Sequence, residues 1–181
     1  MGVLNHALAG FLLLAAGWLP GAAAAQQGTE AGIKAAFLYK FAGYIEWPEK
    51  AFSAPDAPFV IAVTGSDEVA AELERLVPGR SINNRPVAVR RLRDGEPPKG
   101  AHIVFVGRGE PNARAVVRAA QQNGALAVTE TERGLEAGSP INFVLVEDRV
   151  GFEVSLDAAE RGGHRISSRM LAVARRVMGR S

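Results

Sequence analysis

The stretch FVIAVTGSDEVAAELERLV, Phe59 to Val77, decides the fold class. Its first six residues are a continuous apolar run rich in β-branched side chains, the pattern of a strand buried on both faces. Gly65 and Ser66 break the run, and the residues after them have helical character. Ser66 can cap that helix through its hydroxyl. Asp67 and Glu68 then fall in the first turn, where the helix dipole favours acids.

The same alternation continues downstream. Pro86 to Leu92 reads as a second strand, polar at alternate positions and therefore near a sheet edge. A proline- and glycine-containing stretch, Gly95 to Gly100, leads to a third strand at His102 to Val106. Pro111 suits the first turn of a helix that runs to Gln122 and is closed by Gly124. Leu126 to Thr129 is a fourth strand. Ile141 to Val146 and Val150 to Leu156 are two more, joined by a tight turn at Glu147, Asp148 and Arg149. A final helix is expected from near Ser167, with Ile166, Met170, Val173 and Val177 along one face. Upstream, Ile33, Phe37, Phe41 and Ile45 recur at four-residue steps, so Ile33 to Glu46 reads as a helix that Trp47-Pro48 stops. Together these elements imply a single three-layer α/β domain. Its central sheet is mainly parallel, with the hairpin at one side and helices on both faces.

Residues 1–25 stand apart from that domain. Leu8 to Leu19 is apolar but short for a membrane span, and Pro20-Gly21 followed by four alanines ends in an A-x-A type cleavage site after Ala25. Export to the periplasm is the expectation, with residues 26–181 as the mature domain. The chain has no cysteine, so thiol catalysis, disulfides and cysteine-ligated metals are excluded. The formal net charge is only +2, although arginines crowd Arg85 to Arg93 and Arg165 to Arg180. Near-balanced charge in an exported protein argues against nucleic acid and for a solvated face or an acidic partner.

No residues assemble into a catalytic motif. His102 and His164, the histidines of the mature chain, lie in no metal-ligand spacing, so no metal or cofactor is expected. Ser66 lacks the second glycine of a nucleophile elbow, and helix capping accounts for it. Gly107 and Gly109 follow a strand, with Glu130 about twenty residues on, which imitates a dinucleotide fingerprint. Asn112 stands at the third glycine position, and the turn needs glycine in any case. In GGHRISSRML, Gly162 to Leu171, Ser167 or Ser168 can cap the last helix while Arg165 and Arg169 flank it. That corner is either a capped helix with solvated arginines or a site for an anionic ligand.

Aromatic residues are the other anomaly. The chain has 12 in all (Phe 8, Trp 2, Tyr 2), and Phe37, Tyr39, Phe41, Tyr44, Trp47 and Phe52 crowd one short stretch. One face of the first helix must dock on its own sheet, with Phe37 and Phe41 directed there. A second apolar face would be covered by loops of the same domain or by another chain, and aromatic anchors suit the latter. Tyr39, Phe41, Tyr44 and Trp47 are thus the candidate partner-binding residues, Tyr39 and Trp47 foremost for their polar tips. Arg165, Ser167, Ser168 and Arg169 are the candidate ligand-binding set.

KAAFLYKFAGYIEWP, Lys34 to Pro48, resembles the N-terminal signature of the YfiR family of exported bacterial proteins. INFVLVEDRVGFEVSLDAAERGGHRISSRMLAVAR, Ile141 to Arg175, is similar to the C-terminal block of that family, and SINNRPVAVRRL lies between them. The resemblance implies a periplasmic, often dimeric regulator without enzymatic activity. Such a protein binds the periplasmic sensor region of an inner-membrane diguanylate cyclase, and by repressing it keeps cyclic-di-GMP and biofilm formation low. Two features depart from the family. Cysteines that a well-known member uses in disulfides are missing, and His164 stands where an apolar residue, often leucine, is commoner. A ligand-binding sensor acting on a histidine kinase or transporter is the alternative, and an α/β enzyme is a third.

Overall fold

Residues 29–179 are described by the computed structural model. The expected leader, residues 1–25, lies outside them. The first helix, α1 (Glu30–Tyr44), starts where Thr29 accepts the Gly32 N–H at 3.0 Å through its hydroxyl. It ends two residues earlier than the spacing suggests. Ile45–Glu46 (β1) instead pairs antiparallel with Arg165–Ile166 (β9) in a small separate sheet.

The remaining strands form one sheet. In chain order they are β2 (Phe59–Thr64), β3 (Ser81–Ile82), β4 (Arg85–Arg91), β5 (Ile103–Val106), β6 (Leu126–Thr129), β7 (Ile141–Val146), β8 (Arg149–Ser155) and β10 (Arg176–Met178). Their spatial order is β10-β8-β7-β6-β5-β2-β4-β3. Pairing is parallel from β4 through β2, β5 and β6 to β7, and β10 is parallel to β8. The hairpins β3–β4 and β7–β8 supply the antiparallel pairs. This is the mainly parallel α/β sheet that the run at Phe59 predicts.

Period-two alternation splits the buried strands between two cores. Ile61, Val63, Ile103, Phe105, Leu126 and Val128 face α1 and α2 (Asp67–Leu76). Ala62, Val104, Val106 and Ala127 face α3 (Ala113–Gln122). Phe37 and Phe41 do turn toward the sheet. Phe41 stacks at 5.8 Å on Phe143 and meets Phe152 edge-on at 4.9 Å.

Ser66 caps α2 as its position suggests, accepting the Val69 N–H at 3.3 Å. Asn112, not Pro111, occupies the N-cap position of α3. The glycines of the imitation fingerprint serve packing. A Cβ on Gly107 would lie 2.4 Å from the Gly65 carbonyl oxygen, so only glycine lets the loops after β2 and β5 cross.

The long final helix is absent. After the six-residue α4 (Leu156–Arg161), the helix capped by Ser167 is only α5 (Ser168–Leu171), and the chain then re-enters the sheet as β10. The expected stripe has no single core to face, since Met170 is buried but Val173 is 66% exposed. The edge of β8 offers a better alternative. Arg175 donates its N–H to the Phe152 carbonyl at 2.8 Å, and Arg176 pairs with Glu153 at 3.0 Å. Backbone pairing and the ion pair outweigh a half-solvated helix.

A candidate binding cleft at the amino ends of the strands

Four pieces of chain distant in sequence meet beside the amino ends of β2 and β4. They are the end of α1 with β1, the segment around Phe52, the β3–β4 turn, and the start of α5. The space between them measures about 600 Å³.

Its floor follows from how Trp47 folds back. The indole N–H donates to the Ala42 carbonyl at 3.0 Å, which draws the ring inward. The ring then meets Phe59 edge-on at 5.1 Å and His164 at 5.0 Å. Trp47 is thus mainly a wall of the cleft, not the outward anchor that its polar tip suggests.

Phe52 completes the floor and is covered by a cation. The Arg85 guanidinium stands 3.9 Å from the ring centroid, a cation–π distance. Two carbonyls hold it there, as Arg85 donates to Ala54 at 2.8 Å and Ala57 at 2.9 Å. On the sequence alone Arg85 is one more member of a basic run. The signal that places it is Asn83-Asn84, two residues at φ 49° and 64°, a tight-turn pair that fixes where β4 begins.

His102 lies between Phe52 and Phe59, with ring centroids at 4.4 and 4.8 Å. The Val60 N–H donates to its Nδ1 at 3.0 Å, so Nδ1 carries no proton. Nε2 is therefore the protonated nitrogen and donates to the Ala51 carbonyl at 3.0 Å. Burial first, and the Arg85 charge after it, push this imidazole below its ordinary pKa. Both nitrogens are committed to backbone, so His102 is structural.

His164 is the opposite case. It is 1% exposed, and among the described residues neither ring nitrogen has a hydrogen-bond partner. Burial pushes it down to about 4, and the nearby Gly124 backbone, outside hydrogen-bonding geometry, offsets only part of that. A neutral imidazole here occupies the place of an apolar side chain.

The far rim is built by the C-terminal motif. Ser167 donates its N–H to the Tyr44 carbonyl at 3.0 Å, and its hydroxyl accepts the Met170 N–H at 3.4 Å. Ser168 and Arg169 are exposed at the mouth. Among the described residues Arg169 has no ion-pair partner. Arg165 points elsewhere, 3.9 Å from Glu46 in an exposed pair. Of the expected ligand-binding set, Ser167, Ser168 and Arg169 therefore share the cleft and Arg165 does not. A four-residue helix has little dipole, so any attraction for an anion rests on the guanidinium groups of Arg85 and Arg169.

The aromatic set divides similarly. Tyr44 is 43% exposed at the cleft mouth and also borders a smaller space with Phe37, Phe152 and Val173. Phe41 is 2% exposed and presents no surface to a partner. This corrects its inclusion among the partner-binding residues, and the stacking on Phe143 and Phe152 is the reason. Tyr39 is half-buried against the core and donates its hydroxyl to the Ser81 carbonyl at 3.1 Å, with Arg80 over the ring. It ties α1 to β3 and lies outside the cleft.

Both ends of the cleft thus come from the two longest distinctive stretches of the sequence. A family model described as YfiR/HmsC-like matches residues 31–175, which contain both. The chain belongs to the YfiR/HmsC-like family. That family is one of regulators in cyclic-di-GMP signalling, not of enzymes. No curated protein matches the chain. Among solved structures it is similar to the ABC domain from Streptococcus pneumonia in complex with L-Trp, at 13% identity and a TM-score of 0.46. That match covers 71% of this chain and 57% of the other. No helix of the described residues is long and apolar enough to cross a membrane.

Proposed function

We propose that this YfiR/HmsC-like protein is a periplasmic, non-enzymatic regulator. It binds the periplasmic sensor region of an inner-membrane diguanylate cyclase, inhibits it, and so lowers cyclic-di-GMP and biofilm formation. The observation that carries this reading is the cleft itself. It joins exposed Tyr44 and the aromatic floor of the N-terminal motif to Ser167, Ser168 and Arg169 of the C-terminal motif. An aromatic anchor beside Arg169, which has no ion pair among the described residues, suits an acidic protein partner, where aromatic and arginine side chains dominate binding. The residues that hinted at chemistry have structural duties instead, since Ser66 caps a helix and His102 is locked by two backbone groups. The leader expected at residues 1–25 supports the compartment.

The test is genetic and then biochemical. Deleting the gene should raise cellular cyclic-di-GMP, and the wild-type copy should restore it. A copy carrying Tyr44→Glu should fail to restore it while remaining folded, because a charge would enter a surface that is dry in the complex. Unchanged cyclic-di-GMP in the deletion strain under all growth conditions would sink the proposal.

A second reading has its own observation. The Arg85 guanidinium over Phe52, together with Arg169, also suits a small anion with an apolar body. In that case the protein is a ligand sensor acting on a histidine kinase or transporter, with or without a homodimer covering the cleft. Neighbouring genes discriminate cheaply between the two.

A further inference from the structure

The pairing of β6 with β7 stops after two residues, at Thr129↔Asn142, although β7 runs on to Val146. The reason is visible in one hydrogen bond. The Thr131 N–H, which lies where the ladder would continue, donates to the Asn142 side-chain oxygen at 3.1 Å. Glu130 turns away at the same point, accepting the Arg108 N–H at 3.0 Å and pairing with Lys34. Beyond Asn142, β7 is therefore hydrogen-bonded on one side only, by β8.

The β7–β8 turn says which groups are left open. Glu147 and Asp148 form a two-residue turn at φ 50° and 58°, and Val146 faces Arg149 across it. Such a turn closes on a hydrogen-bonded pair, and hydrogen-bonded pairs alternate along an antiparallel ladder. Val146↔Arg149 and Val144↔Gly151 are thus the bonded pairs, and Leu145↔Val150 is not. The N–H and C=O of Leu145 point away from β8, into the space where β6 has ended. That notch measures about 600 Å³ and lies between Arg108 with Glu130 to Glu132 on one wall and Asn142 to Leu145 on the other. Leu145 is 42% and Val146 40% exposed, so the open backbone carries apolar side chains on both faces of the sheet. An unpaired, apolar strand edge is what proteins ordinarily cover.

We propose that this notch accepts an extended peptide segment of a partner protein, added as a strand beside Phe143 to Val146. The segment continues the line of β6, exchanges backbone hydrogen bonds with Leu145, and packs apolar side chains on Leu145 and Val146. The charge around the notch selects its composition. Glu132, Glu147 and Asp148 are exposed and have no ion pair among the described residues, and they outnumber the nearby cations Arg108 and Arg149, so basic residues alternating with apolar ones fit best. This inference extends the regulatory reading by giving the partner a second means of attachment, but the site is independent of the aromatic cleft.

The test uses the mature chain and the peptide acetyl-Lys-Val-Lys-Val-Lys-Val-amide, read by amide hydrogen exchange in NMR. Without peptide, the Leu145 amide should exchange far faster than those of Val144 and Val146. With peptide at ten times its dissociation constant, Leu145 exchange should slow by about tenfold. The same peptide with alternate amides N-methylated cannot complete the ladder and should give no protection. Leu145→Pro removes the open donor without touching the β8 ladder, and should abolish binding. If that variant does not fold, the methylated peptide still decides the matter. Equal binding of the methylated peptide, or no slowing at Leu145 at millimolar peptide, overturns the proposal. Protection of Leu145 that rises with protein concentration alone would assign the notch to a second copy of the chain and overturn it too. None of these outcomes depends on cyclic-di-GMP, so this site and the proposed function can fail separately.

Discussion

At the carboxyl ends of the parallel strands, Lys34 is 4% exposed and lies between Glu30 and Glu130, while Thr64 donates to Glu110 at 2.6 Å. At the amino ends, Arg169 is free among the described residues and His164 is buried with both nitrogens unpartnered. Open α/β sheets ordinarily bind ligands outside the carboxyl ends of their strands. Here internal ion pairs and the crossing of Gly65 and Gly107 close the ends of β2 and β5 and leave only the notch beyond β6, whereas the aromatic cleft is at the amino ends. Unpaired polarity, not the fold, is what distinguishes the proposed binding surface. The contrast can be broken at either end, and the closed end should respond most strongly.

Replacing Lys34 with Met should destabilise the protein by about 3–5 kcal/mol, because it leaves the Glu130 carboxylate buried and uncompensated. Urea unfolding of the purified domain measures this. The double variant Lys34→Met/Glu130→Met should recover most of the loss, since an apolar pair of similar volume needs no compensation. A single variant within about 0.5 kcal/mol of wild type would mean that water reaches this pair and that the end is not closed.

His164 should give the next largest effect, and it depends on pH. Its folded pKa of about 4 lies below the ordinary histidine value, so the folded protein keeps it neutral where the unfolded chain would protonate it. The stability associated with neutral His164 is fully present above about pH 6.5 and is lost as pH falls toward 4. The loss is on the order of 3 kcal/mol by the same linkage. His102 is pushed the same way, so wild type must be compared with His164→Leu and not with a flat line. The variant should be more stable by about 1–3 kcal/mol at pH 7, since two unpaired buried nitrogens are removed. It should also lose its share of the slope between pH 6.5 and 4. A variant with the full wild-type slope would assign that slope to carboxylates or to His102.

These residues also show how far the sequence could be read. The strands at Phe59–Thr64 and Leu126–Thr129 were legible because residues buried on both faces leave an uninterrupted apolar run. The first helix and the cap at Ser66 were legible because their signals are local. β10 was not. Arg176-Val177-Met178 has no strand pattern of its own, and only the edge of β8 makes it one. The cleft was half legible, as two separate motifs whose meeting depends on how the ends of the chain fold together. Exposure was the least legible property. Tyr39, Phe41, Tyr44 and Trp47 are similar residues in one short stretch, yet only Tyr44 is exposed. Helical phase decides Phe41, a hydrogen bond to Ala42 turns Trp47 inward, and neither can be read from composition. Lys34 was missed for the same reason, because its partner Glu130 is 96 residues away.

The smallest effect on stability is expected at Arg169, and that is what makes it informative. The side chain is exposed at the cleft mouth and has no partner among the described residues, so Arg169→Ala should change unfolding by no more than about 0.5 kcal/mol. Binding should behave differently. A guanidinium facing an acidic surface contributes through screened attraction, which raises the association rate and weakens as salt is added. Titrating the cyclase sensor region at low and high salt should therefore show two changes in the variant, weaker binding and a flatter salt dependence. Tyr44→Glu supplies the contrast at the same mouth, since removing an aromatic anchor there should weaken binding at every salt concentration. If Arg169→Ala binds with wild-type affinity and wild-type salt dependence while Tyr44→Glu does not bind, the cleft is an apolar socket and its free cation has no part in recognition. If both variants bind like wild type, the open end of the sheet is not where the partner docks.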